Sequence, residues 1–161
     1  MTGVKACTVF VALLALALPL AAAAQPSPAH DHGPLFLPGV HYGAPLEIAG
    51  GLAVYFETRV DGDFTSGLIV EGSAGQGGAR VSFGVASFLE YLGLDARGVV
   101  HRTVAHPRGA SADSTYLGGE AGLTIAYVRA SVGVAQRITG PAGEHGTILT
   151  WTVGVHVPLG R

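Results

Sequence analysis

The chain is poor in charge, in lysine and in sulfur, and each shortage excludes something. Only 12% of its 161 residues are charged, against 48% hydrophobic, whereas ordinary globular domains carry about 25% charged residues. Lys5 is the only lysine. Beyond it, eight arginines stand against eleven acids, a formal charge of −3. No basic footprint for nucleic acid fits that balance. Cys7 is the only cysteine, and it lies in the leading segment read below as a removed signal, so the remaining chain is expected to have neither a disulfide framework nor thiol chemistry. Past residue 24 no apolar run reaches the ~18 residues of a spanning helix, which argues against a helical membrane protein. No Gly-Lys-Ser/Thr follows the Gly-rich pieces 75–78 and Gly118-Gly119, so neither is a phosphate loop.

What the chain does have starts with an export signal. Lys5, the apolar run 9–20 and four alanines before Gln25 read as a signal peptide over residues 1–24, removed after Ala24. The run is too short to span a bilayer as a helix. Residues 25–45 read as an N-terminal lead. It contains His30-Asp31-His32, a weak metal site because two histidines on a loose lead are poorly organised. No metal and no cofactor is expected. The lead also holds 35–42, an apolar stretch interrupted by Pro38 and Gly39. Those two residues argue against a central strand and make it a possible irregular first strand.

From residue 46 to the end the chain is written in period two, the signature of strands with two different faces. Leu46, Ile48, Leu52, Val54 and Phe56 alternate with Glu47, Tyr55, Glu57 and Arg59, and Asp61-Gly62-Asp63 then marks a turn. Leu68 and Val70 oppose Glu71, with Ile69 blurring the pattern, before a hairpin turn at 75–78. Val81, Phe83 and Val85 oppose Arg80 and Ser82, with Phe88 on the wrong face. The apolar parity switches at Tyr91-Leu92 and again at Tyr127-Val128, as it does across tight turns. Residues 105–114 and 139–146 are polar loops. The last run, 147–159, sets Leu149, Trp151, Val153 and Val155 against Thr150, Thr152, Gly154 and His156. Seven strands are clear, and recruiting 35–42 gives the even number a bacterial barrel needs.

The polar face carries isolated charges of both signs: Glu47, Glu57, Glu71, Arg80 and Glu90 in the first half, then Arg97, His101, Glu120, Arg129, Arg137 and His156. This suits a narrow barrel interior, where acids and arginines pair and side chains fill the lumen. The apolar face is almost free of charge, as a lipid-facing surface must be, since arginine at mid-depth costs about 2–4 kcal/mol. Tyr91 and Tyr127 fall at the parity switches, as interfacial aromatics would. Short turns alternating with longer loops put the loops outside and the C-terminus in the periplasm.

Together these features resemble the small bacterial outer-membrane β-barrel proteins of the eight-stranded type. The resemblance rests on the signal, the strand pattern across 46–159 and the ending Trp151-x-Val153-x-Val155-x-Val157-x-Leu159. Such families usually finish on an aromatic residue, whereas this chain finishes Leu159-Gly160-Arg161. The resemblance implies an all-β, antiparallel up-and-down membrane barrel over residues 46–161, in the outer membrane of a Gram-negative bacterium. Its partners would be the lipid bilayer, lipopolysaccharide and the outer-membrane assembly machinery. The resemblance carries over no functional residue.

Some small barrels modify lipid A with a His-x-Ser pair and a Glu. Here the nearest spacings, His101-Arg102-Thr103 and His145-Gly146-Thr147, lack the serine. His101 near Glu90 or Glu120 would be an acid/base pair, but a lumen histidine held by a carboxylate is the commoner arrangement. The expectation is therefore a structural or interaction barrel with a filled lumen and no enzymatic role. The alternatives are a soluble periplasmic lipocalin-like cup, its Leu/Val face turned inward around an apolar ligand, and a narrow pore or lipid-modifying barrel.

Overall fold

The computed structural model describes residues 33–105, 107–141 and 145–159. The segment read as a signal and the His30-Asp31-His32 triplet lie outside these residues. The described chain forms eight antiparallel strands that close into a barrel in sequence order. They are β1 (Leu35–Ala44), β2 (Glu47–Asp61), β3 (Phe64–Gly75), β4 (Gly78–Leu89), β5 (Leu92–Thr103), β6 (Thr115–Ile125), β7 (Val128–Thr139) and β8 (Thr147–His156). The stretch 35–42 is thus a full barrel strand. The barrel begins at Leu35 rather than at residue 46. Pro38 is tolerated in β1 although it has no N–H to give the ladder. β1 pairs with β2 along one edge and with β8 along the other, from Gly39↔His156 to Ala44↔Trp151.

The period-two pattern sets which side faces in. Val40, Ile48, Leu52, Val81, Phe83, Val132, Leu149 and Val153 are exposed on the outside. Glu71, Arg80, Asp95, Arg97, Glu120 and Arg129 are buried inside. Among the described strand residues, outward charges occur only near the ends. Arg102, close to the β5–β6 loop, donates to the Asp113 carbonyl. Arg59 and Asp61 pair at 3.4 Å beyond an irregularity between Glu57 and Arg59 in the β2–β3 ladder. A β-bulge adds one residue to a strand and reverses the parity after it. That is why Arg59, which alternation places beside Glu57, leaves the inner face.

The two ends of the barrel differ. At one end two-residue turns join β2 to β3, β4 to β5 and β6 to β7. Gly62, Glu90 and Ala126 take φ of 59°, 47° and 53° there, the left-handed region that hairpin turns use. Glu90 and Ala126 pay the crowding cost of a Cβ in that region. The turns are laced together: the Ala126 N–H donates to the Tyr91 carbonyl at 2.6 Å, and the His156 N–H to the Tyr127 carbonyl at 2.8 Å. At the other end lie the β5–β6 and β7–β8 loops.

Candidate functional site

The interior is organised around charge rather than around an apolar core. Glu71 comes from β3, Arg80 from β4, Asp95 and Arg97 from β5, Glu120 from β6 and Arg129 from β7. Register sets two of the pairings. Arg97 lies directly across from Glu120, and Arg80 across from His101. Arg129 clamps Asp95 with two bonds, Nε to Oδ2 at 2.9 Å and Nη2 to Oδ1 at 2.7 Å. Arg97 donates Nε to the same carboxylate at 2.7 Å and reaches Glu71 with Nη1. Arg80 stands between Glu120, 3.3 Å away, and Glu71, 3.7 Å away. Three acids therefore meet three arginines, and the set is formally neutral.

A buried ion requires such pairing, because removing one partner leaves an uncompensated charge at a cost of about 3–5 kcal/mol. Histidines and hydroxyls frame the network. His101 approaches Glu120 at 3.6 Å, His41 approaches Glu71 at 3.4 Å, and His156 approaches Glu71 at 4.0 Å. Ser131 donates to Glu120 at 3.3 Å and shares a 2.7 Å bond with Thr152. Glu71 and His101 are 0% exposed and Arg80 is 2% exposed, so side chains fill the middle of the lumen.

The residues assigned to the lumen from sequence separate into two groups. Glu71, Arg80, Arg97, His101, Glu120, Arg129 and His156 are all buried inside, and the contacts above join them into one network. Glu57 and Arg137 face inward at opposite ends and are half-buried. Glu47 is the first residue of β2, half-buried, with φ of 58°. Glu90 is an exposed residue of the β4–β5 turn, at the mouth of the lumen and outside the ion network. His101 accordingly meets Glu120 and not Glu90. Parity names a face only where a strand continues, and both Glu47 and Glu90 sit where a strand begins or has ended.

Two members of the network were missed by sequence reasoning. Asp95 shares the parity of Arg97 and His101, but alternation does not group it with the arginines it holds. His41 lay in the stretch set aside for Pro38 and Gly39, although Phe36, Val40 and Tyr42 already alternated with Leu35, Leu37 and His41. Ile69 and Phe88, which broke the pattern, face inward. Ile69 packs with Tyr55 and Ala53, and Phe88 meets Tyr55 edge-to-face at 5.3 Å.

At the loop end the barrel is plugged. Tyr116, Ala135 and Ile148 cluster inside it with Ala110 of the β5–β6 loop against them. Thr103 Oγ1 donates to the Ser111 carbonyl at 2.6 Å, and the Tyr116 hydroxyl receives the Ser111 N–H at 2.9 Å and donates to the His145 carbonyl at 3.2 Å. From the same loop Arg108 reaches over the outer rim. It bonds the Tyr42 hydroxyl and lies 5.8 Å from the Tyr42 ring and 5.9 Å from the Trp151 ring. At the short-turn end the lumen opens into a cavity of about 440 Å³. Its walls include Leu35, Leu37, Tyr55 and Phe88, and its floor includes Arg97, Arg129 and His156.

His41, Glu71 and His156 are the described residues whose ligand atoms are grouped as a metal would require. Comparison with family models, with curated proteins and with solved structures finds no match for this chain.

Proposed function

We propose that the protein is an outer-membrane β-barrel with a structural or interaction role and a lumen closed by its own side chains. The observation that carries this reading is the sorting of charge. Three arginines and three carboxylates are enclosed, while the outward face between the rims carries valine, leucine, isoleucine, phenylalanine and small residues. In water this arrangement would forfeit apolar burial on nearly every strand and still bear the desolvation cost of six ions. In hydrocarbon it is the favourable one. A twelve-residue strand rising ~3.3 Å per residue and tilted ~40° climbs about 30 Å, enough for the ~25 Å apolar band of such barrels.

The rims agree with this placement. Tyr91 and Tyr127 are exposed at the short-turn end, and Tyr42 and Trp151 lie toward the loop end. Aromatic side chains of this kind settle at bilayer interfaces. Arg102 and Arg108 at the loop end stand where the phosphates of lipopolysaccharide would meet them. The chain would reach this place through a cleaved signal peptide and the outer-membrane assembly machinery. No catalytic role belongs to this reading, because His101 and Glu120 are enclosed within the packed middle of the lumen.

The test is biochemical. The expressed protein is recovered in the outer-membrane fraction, needs detergent for extraction and migrates faster on gels before boiling than after it. A protein freely soluble without detergent ends this reading. It would support a second one, a soluble cup with its Leu/Val face outward rather than inward as first expected, whose cavity of about 440 Å³ takes a small apolar ligand against Leu35, Leu37 and Phe88.

A further inference from the structure

Several polar atoms of the interior lack a hydrogen bond, and three of them lie together at the edge of the ion network. Nε2 of His41, Nε2 of His156 and Oε1 of Glu71 make no hydrogen bond, although all three residues are more than nine-tenths buried. They reach the same place from β1, β8 and β3, and one ligand atom from each lies within 4.8 Å of the other two. We propose that His41, Glu71 and His156 bind a first-row divalent cation, zinc first among them, inside the barrel.

The spacing suits such an ion. Bonds of ~2.1 Å in a tetrahedral site set neighbouring ligand atoms about 3.4 Å apart. His41 Nε2 and Glu71 Oε1 already stand at 3.4 Å. The ligand atoms of all three residues lie within 4.8 Å of one another, so the longest edge is at most about 1.4 Å wider than that of a closed site. Two imidazoles and one carboxylate, with no thiol, favour zinc and its first-row neighbours over magnesium or calcium, which take oxygen ligands. Three protein ligands leave a fourth position for water or another small ligand.

The seam between β1 and β8 keeps room for both rings. Gly39 is the register partner of His156, and Gly154 is the register partner of His41. A Cβ on Gly39 would stand 2.7 Å from His156 Cδ2, and one on Gly154 would stand 2.6 Å from His41 Nδ1. No other residue type fits either place without moving a ring. The two imidazoles then meet edge-on, 4.7 Å between centroids.

The charges around the site permit an ion. Glu71 is also approached by Arg80 and Arg97, which oppose a cation. Each keeps another carboxylate when Glu71 turns to the metal: Arg80 holds Glu120, and Arg97 shares Asp95 with Arg129. His156 lines the cavity at the short-turn end, where Glu57, Asp63 and Glu90 stand against Arg97 and Arg129, so carboxylates outnumber arginines by one along the way in. The site stands apart from the membrane reading, since the three residues point into the lumen whatever surrounds the barrel.

The experiment uses untagged protein carrying H30A and H32A, so that the N-terminal lead offers no histidine. It is titrated with Zn²⁺ by calorimetry and with Co²⁺ by visible absorption. The expected result is one ion per chain and the bands of four- or five-coordinate cobalt. H41A and H156A should each weaken binding by about 100-fold, at or beyond the upper range for loss of an outer-shell partner, while H101Q binds as the parent does. If the alanine variants fail to fold, H41Q and H156Q keep the volume and remove the ligand. X-ray absorption at the zinc edge of the parent should report two imidazole nitrogens without recourse to any variant. No saturable uptake, a zinc shell without two histidines, or unaltered affinity in a folded H41Q/H156Q chain would overturn the proposal.

Discussion

Moving an arginine along the outer face of β7 separates a lipid environment from an aqueous one more directly than any change to the interior. Val132 and Val134 point outward and are 56% and 45% exposed, while Val128 and Ile138 occupy the two ends of the same strand. At ~3.3 Å per residue and ~40° of tilt, each residue climbs about 2.5 Å. Val132 therefore lies about 10 Å above Val128, and Val134 about 15 Å above it. Both fall near the middle of a ~25 Å hydrocarbon band.

Arginine there should cost about 2–4 kcal/mol, and about 0–1 kcal/mol near the interfaces. The central substitutions then shift the folding equilibrium by about 30- to 1000-fold, at 1.4 kcal/mol per decade. The end substitutions V128R and I138R shift it by less than about tenfold. The assay is reversible denaturant unfolding in lipid vesicles, followed by Trp151 fluorescence. In a soluble barrel all four positions are solvated surface, and each change should stay within about 0.5 kcal/mol. Four flat values, or a maximum at Val128 or Ile138, would refute the lipid-facing assignment.

Further outcomes follow from the interior and the seam. Asp95→Asn leaves Arg129 and Arg97 without the charge they bracket at 2.7–2.9 Å. It should cost about 3–5 kcal/mol in the same unfolding assay, whereas Glu47→Gln at the β1–β2 turn should stay within about 0.5 kcal/mol. Gly43→Ala would set a Cβ 1.9 Å from the Trp151 carbonyl oxygen across the β1–β8 seam. It should cost about 1–3 kcal/mol or more and lower the temperature at which the fast gel band is lost. Gly72→Ala, with nothing within 4 Å of the new Cβ, should be neutral or stabilising by up to about 1 kcal/mol. Arg108→Ala removes the cation from the face of Trp151, the only tryptophan. A changed emission maximum and a loss of about 0.5–1 kcal/mol are expected, and an unaltered spectrum would contradict the contact.

The legible part of the fold was whatever repeats every two residues. Leu149, Trp151, Val153 and Val155 declared one face of β8, and Arg80 and Ser82 declared the other face of β4, because neighbouring side chains on a strand must point apart. The failures came where that rule is interrupted. The irregularity after Glu57 carried Arg59 outward, the β4–β5 turn left Glu90 at the mouth of the lumen and outside the ion network, and Pro38 masked a strand that its alternation already described. Ile69 and Phe88 read as errors in the pattern, yet they form the apolar wall around Tyr55 beside the charged middle. A barrel interior needs apolar filling at some levels and ion pairs at others, and alternation does not distinguish levels.

The sequence alone determined that the chain is all-β, and it determined which side of most strands is polar. Both are properties of a single strand and its two-residue pitch. It did not determine which charges would meet. Asp95 holds Arg129 from two strands away, and His41 joins Glu71 and His156, because the sheet closes β1 onto β8 with one particular register. Contacts across a lumen depend on strand number and stagger taken around the whole circumference. No local pattern encodes them, so the ion network and the His41–Glu71–His156 cluster exist only once the barrel has closed.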